Sequence, residues 1–334
     1  MLFSQINNLV MNSKIIDYLR KETNYKPVKL TEKIAEILDI SFDSAYRRVS
    51  NKVEFTISEV GKIALYYKFS IDEVLFLSAT NNVLFKTPDT VKDAASFIIF
   101  LQKTNQMIFD YVNKPNTTMY YAAKDIPFYY TVGQNYLSKL KTYIWLYSTN
   151  QRFSANKIPF SDYAISPEVK KETMRISFLN ETINSVEIWN ASTIDSILFT
   201  IQYLKKIKLI TLEEIHLILE ELKELLESIK QNASNGKKEY GKKIELYYNS
   251  LYLMNNSILL KSDDSSTGII QYNLIEYLNT RNYKICSQLE DYFEYQIHFS
   301  KNLTKSNDED RDDFFDLLNK KIDTFIGNDF IFHS

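Results

Sequence analysis

A chain of 334 residues, 45 % hydrophobic and 25 % charged, has the composition of an ordinary globular protein and length enough for two or three domains with their own cores. A formal net charge of −2 excludes a general electrostatic pull toward nucleic acid or anionic membrane, so any DNA affinity has to come from a local patch. The single cysteine, Cys286, excludes an intramolecular disulfide framework and fits a reducing cytoplasm. Met1 is followed by LFSQINNLVMNSK, which lacks a charged n-region and a cleavage pattern, so no signal peptide is expected. No apolar run approaches the roughly 18–20 residues that cross a bilayer, and a cytoplasmic protein without membrane contact is expected. Six glycines, none in a GxGxxG or GxxxxGK[ST] pattern, argue against nucleotide-binding α/β folds and for a mainly α protein.

The first legible stretch is LTEKIAEILDISFDSAYRRVSNKVEFTISEVGKIALYYKFSIDEVL, residues 30–75. Ile34, Ala35, Ile37 and Leu38 form an apolar stripe on a short helix, and Asp39-Ile40-Ser41 make a turn. Ser41 caps a second helix carrying Ala45, Tyr46, Arg47, Arg48 and Val49. Small Ala35 and Ala45 suit two helices meeting across so short a turn. A third helix follows around Ile57, Val60, Ile63 and Ala64, and residues 69–75 start a fourth. In motif and element order the segment resembles the Cro/Xre-type helix-turn-helix domain of bacterial and phage regulators. It departs from that pattern at Thr31, Asp39 and Asn51; Asp and Asn still tolerate left-handed backbone.

The resemblance implies that the second motif helix enters the major groove of double-stranded DNA. By position, Phe42, Asp43, Ser44 and Arg47 then face base edges, with Arg47 suited to guanine and Phe42 to a thymine methyl. Lys33, Arg48, Lys52 and Lys62 are placed for phosphates, and Val49 is expected in the core with Arg47 and Arg48 outward. Residues 1–78 hold eleven Lys/Arg against ten Asp/Glu, hardly a basic footprint, so a homodimer on two half-sites is expected.

Beyond a boundary near residues 79–88, periodicity predicts helices over 90–113 and 134–148, with a short extended piece or turn at 119–133 around Pro127. Residues 167–230 contain no proline after Pro167 and fit two or three long helices. The clearest, 212–230, opens on a Thr211/Glu214 capping box and repeats Ile215, Ile218, Leu219, Leu222, Leu225, Leu226 and Ile229; it reads as a packed bundle helix rather than a coiled-coil seam. After a polar linker at 232–241 the period changes, predicting a three-stranded antiparallel meander over 244–273, with Gly236, Gly241 and Gly268 in loops. Helices are expected again at 274–279, 284–300 and 307–325, the last with a Ser306/Glu309 capping box. The expected architecture is mainly α: a helix-turn-helix domain (1–80), a helical sensor and dimerisation region (88–232) and a small α+β unit (241–334).

Several phrases in this region, YYAAKDIP (120–127), EIWN (187–190), LYYN and NNSIL (246–259), LNTRN (278–282) and SNDEDRDDFF (306–315), resemble landmarks of a Bacteroidetes family in which a Cro/Xre-type domain precedes a long, mainly helical region. That resemblance implies a transcriptional regulator without a defined ligand. Tyr121, Lys124 and Asp125, and then Glu187, Trp189 and Asn190, are candidates for a small-molecule or peptide effector site, against their simpler reading as caps and core aromatics. Arg281 and Arg311 are weaker anion-binding candidates. His216, His298 and His333 are isolated, Cys286 has no histidine near it in sequence, and no HExxH, CxxC or GxSxG occurs. Neither catalysis, a metal nor a cofactor is expected, and the acidic residues at 308–313 read as a helix start. The expected function is a dimeric, sequence-specific DNA-binding regulator; the competing reading is a protein-interaction module on the same fold.

Overall fold

The structure, a computed structural model, describes residues 2–67, 69–71, 74, 83, 85–87, 90–251, 253, 255–274, 276–304 and 308–331, with helix α1 side chains from Asn12 and those of the last helix to Ile326. The chain divides into two compact units, Met1–Leu84 and Phe85–Ser334. Residues 72–73 and 75 of the expected fourth helix, most of the boundary at 79–88, Ser306 of the expected cap and His333 lie outside the described residues.

The first unit is helical: α1 (Leu2–Thr23), α2 (Pro27–Leu38), α3 (Phe42–Val49) and α4 (Ile57–Tyr67). Its core is assembled from one apolar face of each helix, including Ile15, Ile16, Leu19, Leu30, Ile34, Ala45, Val49, Val60 and Ile63. Pro27 starts α2, where its missing N–H costs nothing. Asp39 ends α2 in the left-handed region (φ 55°), its N–H returning to Ala35 O and Glu36 O.

The second unit is built on a sheet that, among the described residues, has seven strands: β1 (Thr118–Ala123), β2 (Asn184–Trp189), β3 (Ile244–Tyr248), β4 (Ser257–Lys261), β5 (Ser266–Gln271), β6 (Tyr277–Thr280) and β7 (Lys301–Asn302). Their order is β6-β5-β4-β1-β2-β3-β7. β1, β2 and β3 run parallel; β4, β5 and β6 continue antiparallel from β1, and β7 pairs antiparallel with β3. Parallel neighbours need long crossovers, and helices supply them. α6 (Phe128–Thr131), α7 (Tyr136–Thr149), α8 (Gln151–Ala155) and α9 (Pro167–Glu181) link β1 to β2; α10 (Asp195–Lys206) and α11 (Leu212–Asn235) link β2 to β3.

Strand alternation divides the sheet into two covered faces. Tyr121, Ala123, Trp189, Leu246 and Leu260 join the large core formed with α5 (Ala94–Val112), α7, α9, α10, α11 and α13 (Asp308–Ile331). Ala122, Ile188, Tyr247 and Leu259 lie under Cys286 and Phe293 of α12 (Tyr283–His298). The α11 stripe is wholly consumed by this core, and its Thr211/Glu214 capping box is closed in both directions at 3.2 and 2.9 Å.

This mixed sheet replaces the mainly α architecture with a small antiparallel meander expected from sequence. β3 lies where the meander's first strand was expected but pairs with β2 and β7, not with β4. β2, in a stretch read as helix, has few exposed positions and so shows no alternation of apolar and polar residues. Residues 277–280, expected as the end of a short helix, are β6, pairing with β5 and bridging to Lys86. Gly268 sits inside β5 rather than in a loop. A Cβ there would meet Leu289 Cδ1 of α12 at 2.6 Å, so glycine lets the helix cross close to the sheet.

Candidate nucleic-acid interface

The α2–turn–α3 segment is rigidly specified by short-range chemistry. Ser41 Oγ accepts the Ser44 N–H at 3.3 Å, starting α3 directly after the Asp39 turn. The far end of α3 is held by Asn12, a residue that no motif in the sequence marks. Buried Asn12 of α1 donates through Nδ2 to Arg48 O at 3.1 Å and Asn51 Oδ1 at 2.7 Å, and its Oδ1 accepts the Phe55 N–H at 3.2 Å. Asn51 takes the left-handed conformation (φ 59°) that this turn demands.

Of the residues expected at base edges, Phe42, Asp43 and Arg47 are exposed on α3, and Ser44 is partly buried within the Ser41 cap. Asp43 lies in the first turn, where its charge complements the helix dipole. Val49 is buried, as expected. Arg48 does not point outward as expected. Its Nε and Nη2 bond to Glu59 Oε2 and Oε1 at 3.1 and 2.8 Å, and Nη1 donates to Ser44 O at 3.1 Å. The physical reason is Glu59 in the first turn of α4, which also accepts the Thr56 N–H at 2.8 Å and offers a planar partner to the guanidinium fork. Burial pushes the Glu59 carboxyl up, but Arg48 and the Thr56 N–H outweigh it and hold it below its ordinary value.

Lys33 is also engaged, with Nζ 2.8 Å from Glu36 Oε2 and 5.3 Å from the Tyr66 ring centre; the bonds to Glu36 and Tyr66 raise its pKa. Lys52 Nζ lies 5.6 Å over the Tyr46 ring, and Lys62 is exposed on α4. The positive charge displayed around α3 is therefore smaller than the count of basic residues implies, with Arg47, Lys52 and Lys62 carrying it.

The effector candidates of the second unit separate into an interior cluster and a cavity wall. Glu187 is fully buried and accepts Tyr130 Oη at 2.8 Å, Ser185 Oγ at 2.9 Å and Trp189 Nε1 at 3.1 Å. Lys238, also buried, donates to Asn180 O and Oδ1 at 2.9 and 3.2 Å; burial pushes its pKa down while Glu187 and Glu181 oppose this. Desolvation holds the hydroxyls of Tyr129 and Tyr130 well above their ordinary range. Trp189 packs against Tyr130, and Asn190 closes the turn after β2 by accepting the Ser192 N–H at 2.9 Å. These are interior structural bonds, not a ligand-facing surface. Tyr121 and Asp125 instead line a small cavity at the carboxyl end of β1; Lys124, beside them, is partly buried. Arg311 is clasped by Leu303 O and the Asp308 carboxylate. No helix among the described residues is long and apolar enough to cross a membrane.

A unit whose described residues form four helices, with a capped turn and an exposed second motif helix, fits a helix-turn-helix domain. Residues 7–96 match the BetR domain family, a helix-turn-helix-like domain found in transcription regulators, and the match ends just inside α5. No curated protein and no solved structure matches the chain.

Proposed function

We propose that the chain is a sequence-specific, DNA-binding transcription regulator that acts as a homodimer in the cytoplasm, without enzymatic activity, docking α3 in the major groove in the Cro/Xre manner. The supporting observation is the fixed presentation of α3: its start is capped by Ser41, its end is clamped by Asn12, and Phe42 and Arg47 stand free of the core between them. Arg47 reads guanine, while Lys52 and Lys62 anchor phosphates. Because Lys33 and Arg48 are committed to carboxylates, one copy has few phosphate contacts, and two copies on adjacent half-sites supply the rest. The second unit responds to a small effector.

DNA selected from a random pool by the full-length protein, then titrated with salt, tests this. A two-fold symmetric motif with a log–log salt slope of about −0.9 per neutralised phosphate supports it. No enrichment at any salt concentration down to about 50 mM argues against it.

The competing reading, a protein-interaction module, is favoured by one observation. Phe42 and Tyr46 are each 47 % exposed on α3, a more aromatic surface than phosphate contact requires.

A further inference from the structure

The carboxyl end of β1, helix α7 and the first turn of α10 enclose a cavity of about 60 Å³. Its wall carries two opposite charges, Lys141 from α7 and Asp125 from the loop after β1. The Asp125 carboxylate is near enough to favour the Lys141 ammonium, yet the two do not close an ion pair, and among the described residues no hydrogen bond reaches the ammonium. Lys141 is partly buried, and that burial pushes its pKa down while Asp125 opposes the shift. Beside it, the Ser196 hydroxyl is buried without a hydrogen-bond partner. Neighbouring polar groups are satisfied elsewhere: Asn256 Nδ2 donates to Gln271 Oε1 at 2.6 Å, and Asp195 holds Lys321 Nζ at 2.7 Å.

A partly buried ammonium with no hydrogen-bond partner and an orphaned buried hydroxyl on one cavity wall favour a ligand that bonds both. We propose that this cavity binds a small zwitterionic α-amino acid, glycine to serine in size, its carboxylate on Lys141 and Ser196 and its ammonium on Asp125. A simple carboxylate would satisfy Lys141 but face Asp125 with like charge, and a simple amine would do the reverse. The volume of about 60 Å³ is several times the roughly 10–15 Å³ that a single water needs by the same measure, and it admits a molecule of a few heavy atoms such as glycine. Tyr121, Tyr277 and Trp145 close the apolar sides against a long side chain. Ser196 lies in the first turn of α10, where the helix dipole also favours the carboxylate.

The inference takes up the effector part of the reading above. It is tested on the full chain without DNA, so its failure leaves DNA binding standing. Calorimetric titration, with line broadening of the free ligand as a second readout, compares glycine, alanine and serine with acetate, methylammonium and leucine. The expected result is saturable one-to-one binding of the small amino acids at up to about 10 mM, and none of the three controls. Lys141→Met and Asp125→Asn each weaken it at least about tenfold, and Ser196→Ala about fivefold, with unchanged near-ultraviolet circular dichroism. Two charge variants on different elements keep the test decisive if one of them misfolds. Acetate or methylammonium binding as well as glycine, binding untouched by both charge variants, or no binding of any amino acid each overturns the proposal; the last leaves a hydrated charge pair.

Discussion

The two units use charge in opposite ways. Among the described residues of the first, charged side chains stay at least partly exposed and pair over short distances. Lys33 meets Glu36 one helical turn away, and Arg48 crosses to Glu59 while both stay partly exposed. In the second, charge also goes inside: Glu187, Lys238 and Glu276 are buried and bonded to segments distant in sequence, and buried Arg311 is bonded to nearby Leu303 and Asp308. A unit that keeps charge outside can present a helix to a partner and depends on caps for its shape. A unit that buries charge depends on networks in which every member needs the others. The contrast teaches where each is fragile: the first at its turns, the second at a few interior polar atoms.

Removing one interior charge should therefore have the largest effect. Glu187→Ala removes one of the two carboxylates, with Glu181, that offset the desolvation of Lys238 and leaves Tyr130, Ser185 and Trp189 without their acceptor; it should destabilise the second unit by about 3–5 kcal/mol. Urea unfolding followed through tryptophan fluorescence reports this unit, since Trp145 and Trp189 both lie in it. An effect within about 1 kcal/mol would break the contrast.

Next is the clamp on α3. Asn12→Ala should cost the first unit about 1–3 kcal/mol, because Phe55 N–H, Arg48 O and Asn51 Oδ1 lose their partner together. Hydrogen exchange at the α3 amides should accelerate while amides of β1 and β2 remain protected.

The smallest effect sharpens the surface half of the comparison. Arg48→Ala should cost about 1 kcal/mol, since the Glu59 pair is partly solvated. The Glu59 pKa is depressed in the folded state, so its contribution is present above the ordinary value of 4.5 and lost as pH falls through the folded value. Thermal unfolding of the first unit between pH 7 and pH 3 should show an acid-dependent component that Glu59→Gln removes.

What sequence reveals follows the same division. The first unit was legible because its determinants are neighbours: Asp39 turns the chain, Ser41 caps the next helix, and Ile34, Ala45 and Val49 form the core between them. α1 and the Asn12 clamp were not, because a lone Asn on a weakly patterned helix bonds partners 36 to 43 residues away. In the second unit α7, α11 and α12 follow their periodicity, whereas β2 and β6 take their conformation from strands brought up by distant segments. EIWN reads as a candidate site because a carboxylate stands beside tryptophan, but the sheet turns that pair inward. Lys141 is marked in the sequence as well. It stands four residues from Leu137 and four from Trp145, a lysine on the buried stripe of its own helix.

The most direct test of the central claim sets the two adjacent arginines of α3 against each other on the selected DNA. Fluorescence anisotropy at fixed salt would compare wild type, Arg47→Ala and Arg48→Ala on the preferred site and on a scrambled duplex. The account predicts that Arg47→Ala loses about 1–3 kcal/mol of preference for the site, while folded Arg48→Ala keeps its preference. Preference unchanged in Arg47→Ala, or lost equally in both variants, would contradict the placement of α3 as the reading helix.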